Sequence, residues 1–320
     1  MNKINSIKFS FPRQLGILLM LIGGGIIAGA LVSVGVWTMM TGKPVTNLQT
    51  DMSDPKFYHA VIMLQAISTF FIFFLPSWIF AIVCYRKPAH FTGLQTRFNI
   101  KQIVWVILIL ALTFPLSGAL SELARVMPLP KDWKVKFDAM ETAREAQEAM
   151  LIKIDSLSKY ILSIVVIGIL PAIFEEILFR GVIQNVLTKW FKGPWAAILI
   201  TAFIFSIIHM SFYGFFVRFA LGIILGLVFY YSGSLWLAII FHFLYNGLQV
   251  TALYIFNMSA NPNVKDIEGN FPLWAGIVAL GLLIYALKKF RDLSWKEQEV
   301  FEYKDVDDPD NFHDWIAKNS

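Results

Sequence analysis

The stretch "ILSIVVIGILPAIFEEILFRGVIQ" occupies residues 161–184 and decides the fold class, because it is an apolar run of membrane-spanning length. Two adjacent glutamates and an arginine interrupt it: Glu175, Glu176 and Arg180. A charged side chain at membrane depth costs at least ~2.5–3.5 kcal/mol on insertion scales. These three residues are therefore expected either to pair with one another or to serve chemistry.

The composition of the whole chain agrees with a membrane protein. Of its 320 residues, 57% are hydrophobic and only 15% are charged, which is too apolar for an ordinary soluble domain. One apolar run could be a buried helix of a soluble protein, but no soluble fold of this length hides a whole set of them. The runs lie at about residues 15–40, 58–84, 102–121, 160–182, 195–213, 215–232, 235–256 and 272–287. The predicted fold is an all-α, polytopic membrane bundle of about eight transmembrane helices.

Basic residues in the short loops predict the orientation of this bundle. They form four groups, which all fall on one side of the membrane if the spans alternate. The groups are Lys3, Lys8 and Arg13; Arg86, Lys87, Arg97 and Lys101; Lys189 and Lys192; and Lys288, Lys289 and Arg291. Because Lys and Arg accumulate in cytoplasmic loops, we expect an inner or plasma membrane protein with both termini in the cytoplasm. The net charge of +5 reflects this anchoring and gives no indication of nucleic-acid binding.

Two glycine pairs at a spacing of four are typical of close helix contacts in membranes, because the missing side chains let two backbones approach. They are Gly25 with Gly29 in the first span and Gly222 with Gly226 in the sixth. We interpret both pairs as packing signals and not as chemistry.

The fourth span carries two negative charges and one positive charge, so one glutamate has no partner on its own helix. Glu176 and Arg180 are four residues apart, so they share a helix face and can pair. Glu175 points about 100° away from Glu176 and needs a partner from another helix.

Other apolar runs supply candidate partners for Glu175. His209 lies in the fifth run, and His242 and Asn246 lie four residues apart in the seventh. At ~1.5 Å per residue, all of these groups fall in a similar inner layer of the membrane. A lone buried histidine is more often a packing residue, and a lone asparagine can join two helices. Their joint occurrence favours a site.

A carboxylate, imidazoles and an amide at one depth form a set suited to hydrolysis. A glutamate shielded from bulk water can accept a proton from a water molecule, and imidazole and amide N–H groups can donate to a developing oxyanion. Histidine and glutamate can equally bind zinc and leave a position open for water. The HExxH signature of common zinc proteases is absent from the sequence.

At these residues the sequence resembles the CAAX-processing and bacteriocin-self-immunity (Abi-type) family of intramembrane proteases. The first family motif, EExxxR, corresponds to "EEILFR" from Glu175 to Arg180. The second, FxxxH, corresponds to "FSIIH" from Phe205 to His209, and the third, HxxxN, to "HFLYN" from His242 to Asn246. The similarity covers about residues 160–250, and the three motifs occur in the family's order on successive apolar runs.

The resemblance implies an α-helical intramembrane endopeptidase that acts on a peptide or a membrane protein. It implies Glu175 as general base, with His209 helping to position the water. His242 and Asn246 would form the oxyanion site, and Glu176 with Arg180 would orient the helix. Both a metal-free and a metallo-type mechanism stay open; a zinc ion would be held by His209, His242 and Glu175. Prenylated peptides are substrates of the eukaryotic branch of the family. Nothing in this sequence indicates that the chain recognises a prenyl group on its substrate.

With this core, the chain divides into five segments. They are three N-terminal transmembrane helices in 1–121, an extracytoplasmic amphipathic loop and helix in 122–159, a catalytic core in 160–256, a final transmembrane helix in 257–290 and an acidic cytoplasmic tail in 291–320. The amphipathic helix is expected from Ala139 to Lys153, as a connector or as a lid. The one cysteine, Cys84, excludes an intrachain disulfide.

Two rival functions use the same residues. One is a catalytically silent membrane factor, an immunity or regulatory scaffold of the same fold, which would tolerate loss of the motif residues. The other is a transporter, because buried Glu, His and Arg also mark ion paths. A transporter predicts paired broken helices or an inverted repeat, and the sequence shows neither.

Overall fold

The computed structural model describes residues 9–52, 54–94, 97–152, 154–258 and 272–302. Within these ranges every regular element is a helix. The long helices are α1 (Phe11–Thr41), α2 (Tyr58–Cys84), α3 (Ile100–Val126), α4 (Lys131–Ile152), α5 (Leu157–Phe191), α6 (Pro194–Ile207), α7 (Phe215–Ser232), α8 (Leu235–Asn257) and α9 (Leu273–Glu302). Short helical turns lie at Val45–Asn47, Leu48–Asp51, Pro55–Phe57 and Pro88–Phe91. Of the predicted acidic tail, the part after Glu302 lies outside the described residues, as do Lys3 and Lys8.

Seven helices of the described chain are long and apolar enough to cross a membrane. They are α1, α2, α3, α5, α7, α8 and the part of α9 from Leu273 to Trp295. This confirms the predicted all-α, polytopic membrane fold. The remaining predicted span, residues 195–213, is the shorter apolar helix α6. Its 14 residues extend over only ~21 Å, because the chain turns after Ile207 and Met210 takes a positive φ of 52°.

Wide π-helical turns lie inside two of the spans. They cover Phe70–Phe74 in α2, and Ile164–Ile169 and Ile177–Gln184 in α5. Pro76 and Pro171 follow the first two of these segments by two residues. A proline lacks the N–H that an α-helical bond needs, and a π turn takes up this local mismatch. Both helices therefore run on past their prolines as continuous spans.

The glycine pairs lie at close helix contacts, as predicted. A Cβ added to Gly25 would overlap the backbone oxygen of Phe71, so α1 packs directly on α2. A Cβ added to Gly222 would lie 2.8 Å from the Cβ of Ala202, so α7 packs directly on α6. A side chain at either glycine would force two helices apart.

Helix α5 lies at the centre of the bundle and carries the two glutamates. It contacts α2, α6, α7 and α8, while α9 packs mainly against α3. The α5 residues from Glu175 to Thr188 are all buried. The charged residues of the fourth span therefore face protein and not lipid.

Helix α4 lies outside the membrane spans and begins directly after Pro130, earlier than the expected Ala139. Proline restricts the residue before it to extended backbone, so the chain becomes helical only after the second proline of "PLP". The ring of Phe137 stacks on that of Phe212, with centroids 4.3 Å apart. Ser211 donates a hydrogen bond of 3.0 Å to Glu141. Helix α4 is therefore docked on the turn that joins α6 to α7.

Candidate functional site

A buried carboxylate, Glu176, joins two helices at the centre of the site. Its Oε1 accepts a hydrogen bond of 2.7 Å from Nη1 of Arg180, so the predicted pair within α5 is confirmed. The same oxygen lies 2.8 Å from Nδ1 of His242 on α8, a contact that the sequence analysis did not predict. All three side chains are buried. The first and third sequence motifs therefore meet in one hydrogen-bonded network.

Arg180 extends this network to two further helices. Its Nη2 donates a hydrogen bond of 3.2 Å to the backbone oxygen of Gly222 on α7. Its guanidinium carbon lies 4.9 Å from the ring centroid of Phe205 on α6. A buried charge needs such partners, because an unpaired one is strongly destabilising. Arg180 thus connects α5, α6, α7 and, through Glu176, α8.

Glu175 lies beside this network and differs from Glu176 in its contacts. It is 8% exposed, and within the described part of the chain its carboxylate forms no hydrogen bond or ion pair. His242, one of the three candidate partners for Glu175, bonds to Glu176 instead, because both Arg180 and His242 meet the helix face on which Glu176 lies. Glu175 is therefore the carboxylate that can still take a new partner.

His209 is placed at the end of α6 by its own motif. Its Nδ1 lies 2.7 Å from the backbone oxygen of Phe205, one helical turn earlier. The ring of Phe205 lies 5.0 Å from the ring of His209 and 6.1 Å from that of His242, measured between centroids. His209 is half-buried. Phe205 thus contacts both histidines.

Asn246 lies on the same face of α8 as His242 and is half-buried. Its Nδ2 donates a hydrogen bond of 3.3 Å to the backbone oxygen of Ile167, which lies in the first π segment of α5. This bond holds α8 against α5 about one turn away from the Glu176 to His242 contact. Asn246 therefore belongs to the α5–α8 interface that carries the site.

Direct bonds join only part of the predicted set. Glu176, Arg180 and His242 are bonded to one another, whereas His209 is connected through Phe205 and Asn246 through Ile167. In the part of the chain that the structure describes, no three His, Cys, Asp or Glu side chains form a group that could hold a metal ion.

Sequence reasoning missed Arg218 as a component of the site. It lies in the first turn of α7, one turn before Gly222, whose backbone oxygen accepts the bond from Arg180. The signal was present in the sequence, because Arg218 is a charged residue inside an apolar run and such residues are expensive there. Helix α7 therefore carries a charged residue one turn away from its contact with Arg180.

This arrangement has the components of a hydrolytic centre. A shielded carboxylate is available to accept a proton, while the second carboxylate is fixed between an arginine and a histidine. The Nδ1 atom of His242 is bonded to Glu176, which leaves Nε2 for another partner. The fixed contacts hold the ring of His242 in one orientation, as a carboxylate commonly does for a catalytic histidine.

Comparison with known proteins gives one family. Residues 157–248 match the family described as type II CAAX prenyl endopeptidase Rce1-like. All six predicted site residues lie inside the matched region. No curated protein and no solved structure matches the chain.

Proposed function

We propose that the protein is an intramembrane endopeptidase, because residues 157–248 match the family described as type II CAAX prenyl endopeptidase Rce1-like. The observation that carries this proposal is Glu175, a buried carboxylate without a hydrogen bond among the described residues, next to the fixed contacts of Glu176. A buried carboxylate that is left without a partner is costly, and such groups persist at functional sites. The substrate class is a peptide or a membrane protein.

In the proposed reaction, Glu175 is the general base. It takes a proton from a water molecule, whose oxygen forms a bond to the carbonyl carbon of the substrate. The carbon–nitrogen bond then breaks, and Glu175 passes the proton to the departing amine. His209 helps to position the water. Proton transfer of this kind contributes about 10²–10⁴-fold to a rate.

The oxyanion that develops on the substrate carbonyl would be stabilised by His242 and Asn246. Asn246 carries two N–H donors, of which one bond to Ile167 uses the first. His242 can donate through Nε2 only in a form that carries a proton there. If Nδ1 also donates to Glu176, the ring carries a positive charge. This positive charge would then stabilise the negative oxyanion.

Glu176 and Arg180 are proposed as positioning residues. Glu176 fixes the ring of His242 through Nδ1, and Arg180 compensates the charge of Glu176 inside the membrane. A carboxylate that orients a histidine is a common feature of hydrolytic sites and also of zinc sites. The proposed reaction uses only side chains of this protein, and a chelator is therefore included in the test.

The proposal is tested with the full chain in proteoliposomes. The probes are a quenched peptide that ends in a farnesylated CAAX sequence, its unprenylated counterpart, and the membrane proteins captured by the variant Glu175→Gln. We expect Glu175→Gln to abolish hydrolysis and to leave the melting temperature unchanged, because the amide has the same shape as the acid. Glu122→Gln, a half-buried carboxylate on α3, is the matched control and should keep full activity.

Two results would contradict this proposal. In the first, neither probe is cleaved, and membranes with the wild type contain the same peptides as membranes with Glu175→Gln. The protein is then not a peptidase of this type, and a catalytically silent scaffold is favoured. If phenanthroline inactivates the wild type and zinc restores it, the metal-free mechanism is wrong. His209, His242 and Glu175 would then be candidate ligands, and the oxyanion role of His242 would be withdrawn.

A further inference from the structure

The α6–α7 turn, residues 208–214, connects the candidate site to helix α4. His209 is the second residue of this turn. Three consecutive residues that follow shortly after it each contact α4 through their side chains. The contacts are Ser211 with Glu141, Phe212 with Phe137 and Tyr213 with Asp138. We call these three pairs the α4 docking contacts.

The α4 docking contacts use one face of α4. Phe137, Asp138 and Glu141 lie within about 100° of one another around the helix axis, in the N-terminal half of the helix. Val135, on the opposite side of the helix, is 62% exposed. Helix α4 therefore presents a single face to the α6–α7 turn, at a place outside the membrane spans.

Met210, directly after His209, has a strained backbone. Among the described residues, positive φ angles outside glycine occur at Lys192 (55°) and Met210 (52°). Lys192 caps the C-terminus of α5, where a left-handed residue is common. Met210 lies in the turn, three residues beyond the end of α6. A residue with a side chain keeps such a conformation only where surrounding contacts impose it, and these residues cluster at functional sites.

The α4 docking contacts supply such constraints on the chain that follows the strained residue. Ser211 is 6% exposed, and its Oγ donates to Glu141 and accepts from the backbone N–H of Gly214, each at 3.0 Å. The rings of Phe212 and Phe137 are within 8° of parallel, with centroids 4.3 Å apart. Because the next two residues are held by α4, the direction of the chain leaving the strained residue is fixed.

The start of the same turn determines the form of the His209 ring. Its Nδ1 lies 2.7 Å from the backbone oxygen of Phe205. A carbonyl oxygen only accepts, so Nδ1 carries a hydrogen, and the neutral ring can accept a hydrogen bond from water through Nε2. This contact depends on helical geometry between residues 205 and 209. A displaced turn would therefore change both the position of the ring and the nitrogen that carries its hydrogen.

We propose that α4 is a positioning element for His209: its docking on the α6–α7 turn holds the ring in the site, and its release withdraws the ring from the reacting water. Phe137, Asp138 and Glu141 are then positioning residues that act through the turn. The effect on catalysis rests on the proposed peptidase activity, whereas the placement of His209 does not. A site inside the membrane is in this way controlled by a helix outside the membrane spans.

The first test undocks α4 without changing the turn. Phe137→Ala with Asp138→Ala removes the stacked ring and the acceptor of the Tyr213 hydroxyl. We expect kcat on the quenched farnesylated peptide to fall about tenfold to a hundredfold with KM unchanged, because a displacement of about 1 Å can cost ~10² in rate. An unchanged kcat would overturn the proposal.

Two controls accompany the alanine pair. Phe137→Tyr with Asp138→Asn keeps a ring that can stack and an oxygen that can accept, so this pair should retain the wild-type rate. Val135→Ala changes an exposed side chain of the same helix and should have no effect. A conservative pair as slow as the alanine pair would contradict the role given to these contacts.

Nitrogen-15 NMR of the imidazole rings reads the state of His209 independently of activity. The chain has five histidines, and comparison with His209→Gln assigns the signal. We expect a hydrogen on Nδ1 in the wild type, and a shift towards the form with the hydrogen on Nε2 in the alanine pair. A lowered kcat with an unchanged His209 signal would show a general loss of structure, and the proposal would be wrong.

A crosslink distinguishes a positioning element from a lid that must open. In a Cys84→Ser background, Phe137→Cys with Phe212→Cys supplies the only two thiols of the chain and lacks the stacked rings. A short bifunctional thiol reagent should dock α4 again and raise kcat towards the wild-type value. Unchanged or lower kcat after crosslinking would overturn the proposal. A wild type without any peptidase activity would instead contradict the proposed function, and the NMR signal would still decide whether α4 holds His209.

Discussion

At the scale of single residues, the site is organised by one carboxylate oxygen. Oε1 of Glu176 is shared by Arg180 and His242, so two sequence motifs that are more than sixty residues apart depend on the same atom. In the membrane little water is present to compete for these hydrogen bonds. A side chain that loses its partner there cannot easily bond to water instead. The two motif residues that are half-buried, His209 and Asn246, each contact a backbone oxygen, that of Phe205 and that of Ile167.

Arg180 is expected to support the fold more than the reaction. Arg180→Ala removes the partner of a fully buried carboxylate, which should cost about 3–5 kcal/mol of unfolding free energy. The measurement is the melting temperature of the detergent-solubilised variant, with the exposed Lys101→Ala as control. An unchanged melting temperature together with lost cleavage would place Arg180 in the chemistry instead.

Asn246 is expected to contribute to the rate without being essential. Losing one oxyanion donor typically costs ~10²–10³-fold in kcat, so Asn246→Ala should retain a measurable residual rate. Glu175→Gln, by contrast, should show no measurable rate of cleavage. The comparison needs single-turnover kinetics on the same probe peptide. If the two variants are equally inactive, Asn246 has a role beyond donating one hydrogen bond, and the division of labour proposed for the site is wrong.

At the scale of elements, hydropathy predicted the helices well and their local geometry poorly. The spans follow from apolar runs, and the Glu176 to Arg180 pair follows from helical spacing. The early end of α6 at Ile207 depends on a backbone turn with a positive φ at Met210, which an apolar pattern does not encode. The π turns of α5 and the contact between His242 and Glu176 depend on how neighbouring helices pack. The spacing of residues along a single helix therefore could not predict them.

The docking of α4 on the turn between α6 and α7 predicts a measurable pKa. Asp138 on α4 accepts hydrogen bonds from Tyr213 and Lys134, and these bonds lower the pKa of its carboxyl below the usual 3.8. The tyrosine bond is the larger cause. Its stabilising effect is therefore complete above pH 3.8 and is lost as the pH falls through the lowered value.

Removing the tyrosine hydroxyl should remove the largest single cause of this lowered pKa. In Tyr213→Phe we expect the pKa of Asp138 to rise towards its usual value, as followed by NMR of a carboxyl-labelled sample. Tyr160→Phe removes a comparable hydroxyl that bonds to Thr251 and serves as the control, with no effect on Asp138 expected. An Asp138 pKa that is the same in wild type and Tyr213→Phe would show that the contact does not form in solution.

At the scale of the whole molecule, basic residues from all four groups lie at one end of the bundle. The ring of Phe11, next to Arg13, stacks near that of Trp190, and Lys189 lies 5.2 Å from the ring centroid of Tyr85, next to Arg86. At the same end, Gln102 at the start of α3 bonds to Ser294 near Arg291. Because positive residues favour the cytoplasmic side, we expect this end to face the cytoplasm.

Cysteine labelling tests this orientation. In a Cys84→Ser background, a cysteine added after Ser320 should be protected from a membrane-impermeant maleimide in intact cells. Lys136→Cys, at an exposed position on α4, should be labelled under the same conditions. The opposite pattern would invert the topology and would place α4 in the cytoplasm.

The contact at Gly222 has a genetic consequence. Its α-carbon faces Ala202 so closely that even one added methyl group would separate α6 from α7, and its carbonyl oxygen accepts the bond from Arg180. In a screen of random substitutions scored by activity, Gly222→Ala should therefore behave like the loss of a catalytic side chain, although it touches no reacting atom. If positions are ranked by how poorly they tolerate substitution, this glycine would therefore stand among the motif residues. The cause at Gly222 would be the separation of two helices and not the loss of a reacting group. A structural assay is needed to distinguish these two causes.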